Sequence, residues 1–166
     1  ETFFFTTALI LTAANAGFLI NNFPPAKIFM GDVGSVPMGF MAAALSLWAV
    51  RDGLFDLWVP VLIFSPFIVD ATVTVIKRTL LGEKFWMPHR SHYYQRLVLS
   101  GWSHQKTVLC EYILMVSCGL TATFLFIQKQ ELVKLLGLLA YCLLYLILAI
   151  IINKKPNAPN HRSRFP

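Results

Sequence analysis

Between residues 21 and 35 the chain reads Asn-Asn-Phe-Pro-Pro-Ala-Lys-Ile-Phe-Met-Gly-Asp-Val-Gly-Ser, with Asp32 between Gly31 and Gly34. Ser35 and Pro37 open the apolar run that follows. A carboxylate meeting several backbone N–H groups at a helix N-terminus suits a metal-bound phosphate ligand. Lys27 can neutralise phosphate, and Phe29 offers an aromatic face on which a base can stack. Each residue also has a plainer reading. An Asp flanked by glycines is often only a turn. Lys27 can meet lipid headgroups, Phe29 can pack against a bundle, Asn21 and Asn22 can be loop residues, and Pro24-Pro25 can be a stiff connector.

A second cluster follows in Met87-Pro88-His89-Arg90-Ser91-His92-Tyr93-Tyr94-Gln95-Arg96-Leu97. If this stretch is helical after Pro88, His89, His92 and Arg96 share one face, giving donors and cations that could hold a diphosphate. A zinc pair would lack its third and fourth ligands nearby. An interfacial helix touching headgroups is the competing reading, and Arg90 and the tyrosines fit either. Asp70 lies inside an apolar segment, where a carboxylate is costly and a functional candidate by default. Lys77, two helical turns on and on the same face, makes a structural ion pair the preferred expectation for Asp70. Pro66 is expected to kink that segment. Ser103 reads as a helix N-cap, and Trp58, Trp86 and Trp102 as interfacial anchors.

The elements that must position these residues are membrane helices. Hydrophobic residues make up 57% of the 166 residues and charged ones 13%, with a mean hydropathy of +0.63, far from a soluble profile. The expected fold class is all-α, a polytopic transmembrane helical bundle of about five spans. They fall at residues 3–20, 36–50, 57–76, 107–127 and 132–152. The second is short, about 22 Å by the helical rise, so it must extend or pack inside the protein. The net charge of +6 resides mostly in the connections, which speaks for membrane topology rather than nucleic acid. Long connections carry Lys27, Lys77, Arg78, Lys84, Arg90, Arg96, Lys106 and the basic tail, whereas the short ones carry only Arg51, Lys129 and Lys134. By the positive-inside rule the long connections are cytoplasmic. Cys110, Cys118 and Cys142 fall inside apolar runs and match no zinc framework.

Two regions are expected: a transmembrane region over 1–152 with active-site loops at 21–35 and 77–106, and a basic, disordered cytoplasmic tail over 153–166 near anionic headgroups. The run beginning at Phe3 lacks the flanks of a signal peptide. With Glu1 as first residue, the chain is expected to be part of a longer protein.

The run from Asn22 through Pro25, Ala26, Phe29, Met30, Gly31, Asp32, Val33, Gly34 and Ser35, followed after two more spans by a histidine-containing loop, resembles the polyprenyl-phosphate N-acetylhexosamine-1-phosphate transferases. That superfamily includes the phospho-N-acetylmuramoyl-pentapeptide transferase and the enzymes that start O-antigen and related surface glycans. The resemblance covers the whole chain as the C-terminal half of such an enzyme. It implies that Asp32 ligates Mg²⁺ or Mn²⁺, Phe29 stacks on uracil, Asn22 shapes the nucleotide pocket and His92 faces the phosphates. Lys27, Gly31, Gly34, Ser35, His89, Arg90 and Arg96 complete the expected substrate-binding set. The implied reaction moves a sugar 1-phosphate from a UDP-sugar to polyprenyl phosphate and releases UMP, at the bacterial inner membrane with cytoplasmic loops. A homo-oligomer is compatible with it.

Two departures bear on these expectations. Relatives often carry a histidine cluster where this chain has His92-Tyr93-Tyr94-Gln95, and their paired-aspartate motif, which belongs upstream, is absent. The chain by itself is therefore expected to be inactive. A glycolipid transporter or flippase and a non-catalytic membrane subunit are the alternatives. The His-Arg-Ser-His pattern looks closer to the enzymes of surface-glycan and lipopolysaccharide synthesis than to the pentapeptide transferase.

Overall fold

A computed structural model describes residues 2–82, 92–128 and 130–154. Every regular element among them is helical: α1 (Thr2–Asn22), α2 (Gly31–Arg51), α3 (Trp58–Ile63), α4 (Ser65–Leu80), α5 (Tyr93–Leu99), α6 (His104–Ile127) and α7 (Glu131–Lys154). α1, α2, α6 and α7 are each long and apolar enough to cross a membrane. Their outward faces carry large exposed apolar side chains such as Phe5, Phe40, Ile113 and Leu146, which lipid, unlike water, solvates without cost. The all-α membrane bundle expected from composition is the observed fold. The chain forms two compact units, Glu1–Trp58 and Val59–Pro166.

In the first unit α1 and α2 form an antiparallel hairpin. Phe3 stacks near Trp48 with ring centroids 5.4 Å apart, and further along Asn15 Nδ2 approaches Met38 Sδ at 3.9 Å. The hydroxyls of Thr6, Thr7 and Thr12 donate to carbonyls four residues back, so α1 leaves none of them unsatisfied in an apolar setting. α1 stops before Pro24 and Pro25, since a proline brings no amide donor to continue the helical ladder. α2 begins at Gly31, five residues earlier than the apolar run suggests, and keeps Pro37 inside it. The 21-residue helix is then about 31 Å long, enough for a bilayer core. The span that looked too short extends at its N-terminal end, taking Asp32, Gly34 and Ser35 into its first turns.

In the second unit the segment expected as one kinked span is two helices. α3 ends at Ile63 and α4 starts at Ser65, with Phe64 at φ −90°, ψ 3° between them. Pro66 is the cause, because it has no N–H to donate to the Leu62 carbonyl four residues back. The Ser65 hydroxyl donates to that carbonyl instead, at 2.6 Å. Its single proton is thereby committed, so the Tyr145 hydroxyl, 2.5 Å away, is the donor to Ser65 Oγ. α6 and α7 are antiparallel neighbours. Tyr141 bonds Ser117 and Thr121 across them, while Cys118 lies 3.4 Å from the Tyr145 hydroxyl. The core is small: Val59, Leu62, Cys118, Ala122 and Leu125. Gly137 lets α7 come close, since a Cβ there would fall 2.6 Å from Leu125 Cδ1.

Candidate functional site

Two places hold the residues singled out by sequence, one in each unit. In the first, the chain leaving α1 folds back on the helix end. The Asn21 carbonyl accepts the amides of Lys27 (2.8 Å) and Ile28 (3.3 Å). Asn22 Nδ2 donates to the Ile28 carbonyl at 2.9 Å. Asn22 therefore works as the clasp of this loop. The clasp leaves Lys27 exposed and Phe29 80% exposed just ahead of α2.

Two glycines carry the turn into α2. Gly31 sits at φ +61°, in the left-handed region that side chains with a Cβ adopt at a cost. At Gly34 a Cβ would fall 2.3 Å from Met30 Cγ, so the missing side chain admits Met30 against the first turn. Met30, the N-cap, offers no side-chain acceptor to the first amides of α2. Asp32, in that first turn, is exposed and has no hydrogen-bond or ion-pair partner among the described residues. The helix end draws anions toward free amides, yet the Asp32 carboxylate repels a phosphate arriving there. A divalent cation between them removes that conflict. A hard cation such as Mg²⁺ binds through one or two carboxylates, with phosphate oxygens and waters completing the shell. Among the described residues no three His, Cys, Asp or Glu side chains gather for a metal, so they form no closed zinc site.

The second place is where α4, α5, α6 and α7 of the second unit meet. Asp70 does not pair with Lys77. Its Oδ1 accepts the Tyr93 amide at 2.9 Å and the Thr74 hydroxyl at 3.3 Å, and its Oδ2 lies 3.4 Å from His92 Nδ1. Lys77 instead donates to Asn153 Oδ1 at 3.3 Å, an oxygen that Arg96 Nη1 also reaches. Two cations thus share one neutral amide oxygen. His92 stands at the N-cap of α5 in extended backbone, φ −60°, ψ 148°, and its ring stacks on Tyr94 with centroids 5.9 Å apart. The described helix starts at Tyr93 with His92 as its N-cap, so the shared face expected of a helix running from Pro88 can be followed only from His92 to Arg96, whose amide bonds the His92 carbonyl at 3.0 Å. Tertiary contacts aim them, His92 through Asp70 and Arg96 through Asn153. His89, Arg90 and Trp86 lie outside the described residues.

Two members of this junction went unnoticed in the sequence. Glu111 on α6 lies close enough to Asp70 for the two charges to interact, and a carboxylate two turns into an apolar span was signal enough. Asn153 was assigned to the tail, but α7 runs through Lys154. No apolar period marks its last turn, so nothing in the pattern announced it. Residues 155–166, the rest of the expected tail, lie outside the described residues. Ser103 caps α6 as expected, accepting the Lys106 amide at 3.2 Å.

Residues 1–50, which contain the Asp32 loop, match the profile of Glycosyl transferase family 4. The chain is 38% identical over 109 residues to a "Probable undecaprenyl-phosphate N-acetylglucosaminyl 1-phosphate transferase" of Bacillus subtilis, covering 64% of this chain and 30% of that protein. It is 33% identical over 147 residues to the "Decaprenyl-phosphate N-acetylglucosaminephosphotransferase" of Mycobacterium tuberculosis, covering 78% of this chain and 36% of that one. A "Phospho-N-acetylmuramoyl-pentapeptide-transferase" of Carboxydothermus hydrogenoformans is 38% identical over 106 residues, 63% of this chain and 31% of its own length. The chain spans about a third of the length of these curated relatives. No solved structure matches it.

Proposed function

Because this chain belongs to the polyprenyl-phosphate N-acetylhexosamine-1-phosphate transferase superfamily, we propose that it is the part of such an enzyme that binds the nucleotide, the divalent ion and phosphate. The reaction is transfer of a sugar 1-phosphate from a UDP-sugar to a polyprenyl phosphate. An oxygen of the lipid phosphate attacks the β-phosphorus, the bond from that phosphorus to the bridging oxygen breaks, and UMP leaves with the electron pair. The product is a polyprenyl diphosphate sugar. The observation that carries this reading is Asp32: an exposed, unpartnered carboxylate at an uncapped helix start, within the stretch that the family profile matches.

Asp32 would hold Mg²⁺ or Mn²⁺. That ion supplies neutralisation of the charge on the diphosphate oxygens. The amides of the first turn of α2 orient a phosphate against Asp32, and Lys27 adds a mobile positive charge on the same loop. Phe29, with most of its ring exposed, is the stacking surface for uracil. Gly31, Gly34 and Ser35 keep the start of α2 free of bulk, so backbone can approach the ligand. In the second unit His92 and Arg96 donate hydrogen bonds to phosphate oxygens as negative charge shifts between them. His89 and Arg90 belong to the same proposed set by their place in the sequence.

The enzyme is proposed to act in the bacterial inner membrane with both loops cytoplasmic, from the distribution of lysine and arginine among its connections. In purified intact protein given UDP-N-acetylglucosamine, polyprenyl phosphate and Mg²⁺, Asp32→Asn is expected to lower UMP release by about 10²-fold or more, the scale on which electrostatic groups at a reacting phosphate act. Undiminished UMP release in that variant would remove Asp32 from the mechanism.

A further inference from the structure

We propose that Lys77, Arg96 and Asn153 form a site for the phosphate of a membrane lipid, a phosphomonoester rather than a phosphodiester headgroup. Equating that lipid with the acceptor rests on the proposed reaction, whereas the site itself rests on side chains from three helices.

The three residues come from the ends of α4, α5 and α7. Lys77 Nζ donates to Asn153 Oδ1 at 3.3 Å, and Arg96 Nη1 donates to the same oxygen. Two positive charges therefore converge on one neutral atom. No carboxylate among the described residues pairs with either. A cation in the last turn of a helix complements the carbonyl end of its dipole, and Lys77 and Arg96 each occupy such a turn. That accounts for each charge by itself. It does not account for their meeting, which costs repulsion unless an anion joins them.

The remaining donors describe that anion. An ammonium has three N–H bonds and a guanidinium five, of which Asn153 takes one from each. Because both cations donate to Oδ1, the Asn153 amide is oriented with its oxygen toward them, which leaves its NH₂ as a further donor. Lys77 and Asn153 are exposed and Arg96 is half-buried, so the cluster is open to a ligand. What matches it is a group with several acceptor oxygens and nearly two negative charges. A phosphomonoester carries about −1.5 to −2 at pH 7, and a phosphodiester only a single charge.

Location makes the ligand a lipid. Asn153 stands one residue before the end of α7, a helix long and apolar enough to cross a membrane, so the cluster sits where that helix leaves the apolar layer. α4 and α7 touch at Ser65–Tyr145 and again at Lys77–Asn153, and so run in the same direction. One turn back toward the apolar layer, Val73 precedes Lys77 by four residues and Ile150 precedes Asn153 by three, the spacings that share a helix face. Ile150 is 46% exposed and Val73 half-buried. A phosphate held by the cluster leaves its alkyl chain against these apolar side chains, a contact that free phosphate cannot make.

The test is scintillation-proximity binding of tritiated farnesyl phosphate to the intact protein in neutral detergent, for wild type, Lys77→Gln, Lys77→Arg and Asn153→Ala. Thermal unfolding in the same detergent checks that each variant is folded. Lys77→Gln is expected to raise Kd about 5- to 20-fold, the scale of one lost charge-assisted hydrogen bond at a partly exposed site. Lys77→Arg, which keeps the charge, should stay within about threefold of wild type, and Asn153→Ala should raise Kd about two- to fivefold. Unlabelled farnesyl phosphate should displace the label at concentrations about tenfold below those needed with phosphatidylglycerol or inorganic phosphate.

Equal Kd in wild type and Lys77→Gln would overturn the site. Displacement by phosphatidylglycerol at the same concentration as farnesyl phosphate would make the cluster a general headgroup contact, and equal displacement by inorganic phosphate would make the alkyl chain irrelevant; either result overturns the assignment. In turnover, Lys77→Gln should raise KM for polyprenyl phosphate about fivefold or more and leave KM for the UDP-sugar within about twofold. The reverse split would move the cluster to the nucleotide sugar and sink the proposal. If wild-type protein binds farnesyl phosphate through Lys77 yet releases no UMP, the proposed reaction falls and the lipid-phosphate site stands.

Discussion

Ser65 and Tyr145 are joined by a chain of two protons, Tyr145 to Ser65 and Ser65 to the Leu62 carbonyl, and the two ends of that chain are not equivalent. Tyr145→Phe removes one donor and leaves every carbonyl satisfied. In a membrane protein such a loss averages about 0.6 kcal/mol. Ser65→Ala strands the Leu62 carbonyl and leaves the Tyr145 hydroxyl only its weaker Cys118 contact, at about 1–3 kcal/mol for a buried polar group left unpaired. Thermal unfolding of the intact protein in detergent should therefore rank Ser65→Ala below Tyr145→Phe, and the reverse order would mean that Tyr145 anchors the break through another contact. At the other end of α4 a similar comparison concerns function. Tyr94→Phe keeps the ring stacked on His92 and should leave UMP release nearly unchanged, whereas His92→Ala removes the donor and should lower turnover clearly further. Equal, small effects would favour a headgroup role for this loop.

Among the elements, α2 and the α6–α7 hairpin each depend on a glycine for a different reason. Gly31→Ala places a Cβ at φ +61°, a cost of about 1–2 kcal/mol for left-handed backbone, with no steric neighbour to add to it. Gly137→Ala meets Leu125, which is 2% exposed and so cannot swing aside freely. It should cost about 1–3 kcal/mol by overpacking, and Leu125→Ala in the same protein should return part of it, as read by thermal unfolding. Independent, additive losses would argue against close approach at this point. The sequence made the long helices legible because twenty or so apolar residues have few other solutions in lipid. It also made Pro66 legible as an interruption and Ser103 as a cap, both local effects. The start of α2 was hidden because Gly-Asp-Val-Gly-Ser has the composition of a loop, and only its backbone reveals a helix. Asp70 was misassigned because helical spacing ranks neighbours on one helix, while besides Thr74 on its own helix its partners are Tyr93 at the start of α5 and His92, the cap before it. Glycine, aspartate and histidine could be nominated from one sequence, but the contacts that aim them are tertiary.

For the whole molecule, the distribution of charge and apolar surface makes one further demand. α7 has a mean hydropathy of 2.9 over its most apolar window and no buried residue, which is tolerable only with lipid or another protein around it. The basic connections fix its proposed orientation. In cysteine-free intact protein, Lys27→Cys should react with a membrane-impermeant maleimide only after the cells are opened, and Lys134→Cys should react in intact spheroplasts. The opposite pattern would invert the topology and remove the loops from cytoplasmic UDP-sugar. The interruption at Phe64 has a mechanical meaning within its own unit. From Phe64 to Asp70 is six residues, about 9 Å of helix. A change of about 20° in the angle there, the size that separates a bend from a kink, would sweep the Asp70 carboxylate through about 3 Å, roughly the length of the bond that holds α5. The Tyr145–Ser65–Leu62 chain thus acts as the fulcrum pin of a short lever, whose far end carries the His92 imidazole.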